Sequence, residues 1–193
     1  MKSASLLLAS LLTTGILLAQ EATPASTPLT AKQEGVKYIK LLGGRLKGKL
    51  QKEMKADKTA LGAVAFCAKE AEALTKEVNA KLPTYATVRR TALKLRNPQA
   101  NGADALDIEV MKGYEESIAN KSFSPKDIRV VEHEGVTRVY KPLLAKPVCL
   151  LCHGSKISPA IQAEITKHYP QDKAVDFAEN SLRGVIVAEI AKH

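Results

Sequence analysis

Apolar residues recur at three- and four-residue steps early in the chain, at Val36, Ile39, Leu42, Leu46, Leu50 and Met54, with lysines between them. This spacing predicts an amphipathic helix over 32–55, weakened and kinked at Gly43-Gly44. A second helix is predicted from Lys58 to Leu82, stopped by Pro83. On it Val64, Cys67, Ala71, Leu74 and Val78 share a face, while Lys69, Glu70, Glu72, Lys76 and Glu77 lie mostly away from it, so Cys67 points inward. The pattern then changes period. "TYATVRRTALKLRNP", Thr84 to Pro98, is rich in β-branched residues and reads as a strand closing at the Asn97-Pro98 turn. Asp104 can cap a helix carrying Leu106, Val110, Tyr114 and Ile118. "DIRVVEHEGVTRVYKPL" reads as two strands around a turn at His133-Glu134-Gly135, followed by a loop. Ser158 and Pro159 open a short helix ending before Tyr169-Pro170, and "LRGVIVAEI" gives a terminal strand. Two leading helices followed by a mostly antiparallel sheet with short helices make an α+β domain.

Composition adds two constraints. The first twenty residues, "MKSASLLLASLLTTGILLAQ", combine a positive start at Lys2, an apolar run from Leu6 to Leu18 and a cleavage point at Ala19. They predict a signal peptide over 1–19 and export, most simply to a periplasm. An uncleaved anchor is the alternative, because Leu17 is bulkier than the residue usually found before a cut. A Pro/Ser/Thr-rich linker over 20–31 follows, leaving 32–193 as one domain. Charge is the second constraint. The chain carries +9, and 32–58 holds nine Lys/Arg against three Asp/Glu. Export argues against nucleic acid as the partner of this basic stretch. An acidic redox or signalling protein, an anionic membrane surface, or simply a solvated lysine-rich face fits it.

The chemistry lies in "KPVCLLCHGS", Lys146 to Ser155, which holds two of the three cysteines and one of the four histidines. Cys-x-x-Cys-His is the pattern of c-type haem attachment. Two thiols add to the two vinyl groups of one haem, and the next residue's imidazole is carried beneath the iron. Cys149 and Cys152 are thus the expected attachment points and His153 the proximal ligand. A structural zinc site would need two more spaced ligands, and no second Cys-x-x-Cys or His-x-x-His occurs. A thioredoxin-like pair would open a helix after a βαβ strand. A plain disulfide would leave His153 unexplained. For the opposite axial position the candidates are Cys67, Met54, Met111, His133, His168 and the terminal His193, and spacing does not choose among them.

Cys67, "RRTALKLRNP", "CLLCHG" and "YPQDKAVDFAENSLRG", in this order, resemble a family of small exported c-type haem proteins of PAS-like fold, formerly filed as a domain of unknown function. The resemblance covers roughly Lys58 to Ile190. It implies a five-stranded antiparallel sheet with leading helices, and iron ligated by His153 and, from a distant helix, by the Cys67 thiolate. Members are free-standing cytochromes or extracytoplasmic sensor modules. Three features depart from the family pattern. Asn101 lies three residues after Pro98 rather than two, no Trp stands near Glu109, and "DFAEN" replaces a glycine-containing run.

The functional expectation is an exported mono-haem protein for low-potential electron transfer or redox and gas sensing, since an anionic thiolate donor favours ferric iron. Arg89, Arg90 and Arg96 are candidates to pair with the haem propionates, against a reading as a solvated basic strand edge. No kinase, cyclase or membrane-spanning output segment follows the domain, so a signal would pass to a separate partner. A peroxidase would need distal acid-base groups that nothing marks, and no enzymatic activity is expected. The reading from another class is an exported binding or structural protein with a Cys149–Cys152 disulfide and a basic docking helix.

Overall fold

The computed structural model describes residues 29–124 and 126–192. The signal peptide and most of the linker fall outside this range, as does His193. Helix α1 spans Ala31–Ala56 and opens on a capping box, in which Thr30 and Gln33 satisfy each other's backbone N–H groups. It runs unbroken through Gly43-Gly44, where a kink was expected. Packing accounts for this. A Cβ on Gly43 would lie 3.0 Å from Ile186, and one on Gly35, two turns earlier, 2.5 Å from Val139. These glycines let α1 lie close against the sheet. No helix among the described residues is long and apolar enough to cross a membrane.

The expected second helix is two helices, α2 over Leu61–Lys69 and α3 over Ala71–Asn79, broken at Glu70. A straight rod could not serve both neighbours. Val64 of α2 packs with Ile161 and Ile165, far along the chain. Asn79 of α3 instead clamps strand β1, Ala86–Thr91, accepting from the Val88 N–H at 2.7 Å and donating to the Val88 carbonyl at 2.8 Å. A one-turn helix α4, Pro98–Asn101, and the capped helix α5, Ala105–Ala119, follow. Strands β2, Arg129–His133, and β3, Val136–Leu144, form a hairpin. Its two-residue turn puts both Glu134 (φ 48°) and Gly135 (φ 79°) in the left-handed region, as a tight hairpin requires. The expected loop after β3 is instead a 3₁₀ turn, Pro147–Cys149, running into α6, Leu150–His153, because Pro147 is preset for a first helical turn. Helix α7, Pro159–His168, and strand β4, Leu182–Ala191, complete the chain.

The strands are antiparallel in the order β1-β4-β3-β2. That makes four strands among the described residues, not five. The chain leaving β1 and the chain entering β4 meet through a Lys173 N–H to Leu95 carbonyl bond at 2.9 Å. The next backbone N–H groups before β4, those of Asp176, Phe177 and Asn180, go instead to the carbonyls of Gly154, His153 and Ala145, so no further ladder forms there. The register slips between Leu143 and Leu144. Nearby, Gly184 has φ 153°, and a Cβ there would sit 2.5 Å from the Thr91 carbonyl oxygen.

β4 is central and buried on both faces, which explains its continuous apolar run. Ile186, Ala188 and Ile190 face α1, α2 and α3, with Ile39, Leu42, Phe66 and Val78. Val185 and Val187 face α5, with Val110, Met111 and Tyr114. On that second face lies a charged knot. Asp107, fully buried, accepts from Arg89 (2.9 Å) and from the Tyr140 hydroxyl (3.0 Å). Arg89 also donates to Glu189 at 2.9 Å, and Arg138 joins Asp104 at 2.6 Å.

Gly35→Ala and Gly44→Ala should change stability in opposite directions. Alanine gains roughly 1 kcal/mol of helix propensity at either site. At Gly44 nothing lies within 4 Å, so that gain stands, whereas at Gly35 the new methyl collides with buried Val139. Overpacking of about 1–3 kcal/mol outweighs the gain there. Asp107→Ala should cost about 2 kcal/mol, because it leaves the buried Tyr140 hydroxyl without its acceptor and Arg89 with Glu189 alone. Urea unfolding midpoints check all three.

Candidate functional site

The haem-like motif is carried by α6 at the edge of the α2–α7 cluster, where Cys152 packs beside Val64, Ile161 and Ile165. What holds α6 is the strap over 172–177. Arg96, which follows β1, donates to Asp172 at 3.0 Å and to the Cys152 carbonyl at 2.6 Å. The His153 Nδ1 lies 2.8 Å from the Ala174 carbonyl oxygen. A carbonyl only accepts, so Nδ1 carries the proton and the Nε2 lone pair is left bare. Phe177 donates its N–H to the His153 carbonyl at 2.9 Å and sets its ring edge-on to the imidazole. The His153 pKa is pulled down to about 2, by burial first and then by Arg183 and Arg96, so the ring is neutral at any ordinary pH.

Cys67 approaches from α2, partly buried against the first apolar cluster. Burial raises its thiol pKa, while Arg90, Arg96 and Arg183 oppose that rise. The Cys152 thiol is also raised by burial, and it lies close enough to Cys67 for a charge on one to be felt at the other. The Tyr169 hydroxyl donates to the Cys67 carbonyl at 2.9 Å, tying α2 to the end of α7. All three cysteines are free thiols.

The other axial candidates are distributed unevenly. Met54 packs on the cluster that includes Cys152. Met111 is fully buried on the opposite face of the sheet, with α5. His133 is half-exposed at the end of β2, beside the hairpin turn. His168 is paired with Glu164 at 2.9 Å.

The three candidate arginines separate just as clearly. Strand alternation sends Arg89 to the Asp107 knot on the far face. Arg96 is occupied by Asp172 and backbone carbonyls. Arg90 faces the Cys67 side, and its buried Nε has no hydrogen-bond partner. Arg183, at the start of β4, was not singled out from the sequence. Its Nε is likewise buried and unpartnered, and its guanidinium lies 5.2 Å from the Phe177 ring centroid. The available signal was an arginine at the head of a strand whose next five residues carry no charge. Tyr169, Asp172 and Phe177 also escaped the site residues drawn from sequence, although all three fall within the quoted "YPQDKAVDFAENSLRG".

Among the described residues, no group of three or more His, Cys, Asp or Glu side chains is placed to hold a bare metal ion. A porphyrin brings four nitrogens of its own and asks the protein only for axial donors. A neutral imidazole with Nε2 free, a thiol from a second helix, two thiols on one helical turn and two unpaired guanidiniums fit that group.

No curated protein matches the chain. Its fold is similar to that in the crystal structure of the cyanobacterial heme-protein Tll0287, at 23% sequence identity and a TM-score of 0.60, over 82% of this chain and 92% of that one. The family model matches residues 5–191, nearly the whole length, and the chain belongs to the Tll0287-like family.

Proposed function

We propose that this chain is an exported, mono-haem, c-type haem protein that serves low-potential electron transfer or redox and gas sensing rather than catalysis. The observation that carries the reading is the His153 Nδ1 to Ala174 carbonyl bond at 2.8 Å, which fixes the ligating tautomer of a histidine directly behind two free, spaced thiols. The similarity to a cyanobacterial heme-protein supports it. So does the leading sequence, which suits the periplasm as the place of maturation and work.

The residues divide the task. Cys149, at the end of the 3₁₀ turn, and Cys152, on α6, would form the thioether attachments, and the run of turn into helix would hold their spacing. His153 supplies the proximal nitrogen, and the strap over 172–177 keeps its ring from turning. Cys67 would supply a sulfur donor from α2, and Tyr169 holds that stretch of backbone in place. Bound there, haem supplies one-electron chemistry between ferric and ferrous iron. An anionic sulfur donor at Cys67 favours the ferric form, and so a low reduction potential. The exposed side of α1 displays Lys37, Lys40, Lys47, Lys52 and Lys55, which suits an acidic protein partner.

Protein matured in a host competent for cytochrome c should stain for haem after denaturation, and Cys149→Ser with Cys152→Ser should abolish the stain. A colourless wild type with both thiols free or joined to each other would remove the proposal. Cys67→Ala should change the low-spin ferric absorption spectrum and raise the midpoint potential, whereas Met54→Leu should do neither. An unchanged spectrum in Cys67→Ala would take Cys67 out of the site. Spectra of both redox states with and without carbon monoxide then separate a carrier, which keeps both ligands, from a sensor, which opens a position.

A further inference from the structure

The side of the site formed by Arg90, Arg96 and Arg183 holds more positive charge than the chain can neutralise. These three guanidiniums lie close enough to affect one another and the ligating side chains. Asp172 is the one carboxylate whose charge Arg183 feels, and it is already bonded to Arg96. The only anionic groups felt by Arg90 are the weak acids Cys67 and Tyr169. Arg90 and Arg183 each keep a buried Nε without a partner. Arg89 too leaves one buried nitrogen unbonded, but it is held by two carboxylates, Asp107 and Glu189, whereas neither Arg90 nor Arg183 has an ion-pair partner among the described residues. Burial lowers the pKa of both, that of Arg183 to about 10 with the Arg96 charge adding to the effect. Buried cations without counter-ions are costly, and a folded chain keeps them where a ligand supplies the missing charge. Three arginines against one aspartate leave two positive charges, which calls for two anionic groups on the ligand.

Resting on the haem reading above, we infer that Arg90 and Arg183 together hold the two carboxylates of the porphyrin, and that Arg89 and Arg96 do not. Guanidinium matches carboxylate in plane and spacing, so each pair can form two parallel hydrogen bonds. The positions are suited to the task. Among the charged groups Arg183 acts most strongly on His153 and Arg90 most strongly on Cys67, so the pair bears on both ligating side chains. Arg89 and Arg90 are adjacent in sequence, yet the strand turns one into the charged knot and the other into the site.

The test uses mature holoprotein with Arg90→Gln, Arg183→Gln and, as a contrast, Arg89→Gln. A haem stain of the denatured wild type comes first. A negative stain overturns the haem reading, and this assignment with it. With haem retained, resonance Raman should show the propionate bending band shifted in Arg90→Gln and in Arg183→Gln but not in Arg89→Gln. The midpoint potential should fall in the first two, because a carboxylate stripped of its cation favours ferric iron. Arg90→Lys and Arg183→Lys cover the case in which a glutamine variant fails to fold. They should keep most of the potential, since the charge remains, while the band still moves. A propionate band unmoved in every variant at Arg90 and Arg183 overturns the assignment. If that result comes with loss of the sulfur-to-iron charge-transfer absorption, the two guanidiniums serve the Cys67 sulfur instead.

Discussion

Arg96 reaches from the end of β1 across to α6 and the strap, and the whole arrangement around His153 hangs from that reach. One guanidinium meets the Asp172 carboxylate, the Cys152 carbonyl and the Ala174 carbonyl, and both members of the ion pair are at least nine-tenths buried. A buried pair of this kind adds little net stability, but breaking it leaves a stranded charge and costs about 3–5 kcal/mol. It therefore acts as a specification. The short helix α6 has one turn of its own backbone bonds and could not hold three reactive side chains in register alone. The strap supplies what α6 lacks, and Ala174 is the shared point, since its carbonyl also receives the His153 proton.

Strand alternation does the second piece of organisation. β1 places Val88 and Arg90 toward the leading helices and Arg89 toward α5. One face of the sheet thus carries a charge network in which Asp104, Asp107 and Glu189 hold Arg89 and Arg138. The other face carries guanidiniums in excess. The two sets differ although they are one residue apart: Arg89 is held by two carboxylates of the chain, and Arg90 by none among the described residues. A one-residue slip in β1 would exchange them, and the clamp of Asn79 on Val88 fixes the register at that point.

Much of this was readable in the residues, for reasons that can be named. Periodicity located α1, α5 and β4 because each buries a large apolar face, and Asp104 and Ser158 marked helix starts because a cap is a local interaction. The Cys-x-x-Cys-His spacing was readable because the chemistry itself is short-range in sequence. What escaped depends on contacts that no local window contains. The break at Glu70 comes from two distant partners, α7 and β1, pulling on one amphipathic segment. Arg183, Asp172 and Phe177 enter the site only through the path of the strap. Even the departure from the family pattern in "DFAEN" has a local cause once the backbone is known. Asp176 (φ 60°) and Asn180 (φ 62°) both occupy the left-handed region, and Asp and Asn are the residues that enter it most readily after glycine.

The break at Glu70 also bears on Cys67. In a continuous helix the Cys67 carbonyl would be engaged by the backbone N–H four residues on. Where α2 stops it is available, and the Tyr169 hydroxyl takes it at 2.9 Å. The helix end that the packing forces is thus the means by which α7 fixes the sulfur-bearing turn. Cys152 packs on the same α2–α7 cluster. The two sulfur-bearing segments, 85 positions apart in sequence, are held to a common body, so the distance between the thiol of α2 and the motif of α6 is set by apolar packing rather than by a direct bond between them. A ligand that must be gripped from both sides needs that separation kept, and close-packed side chains keep it without joining the two sulfurs.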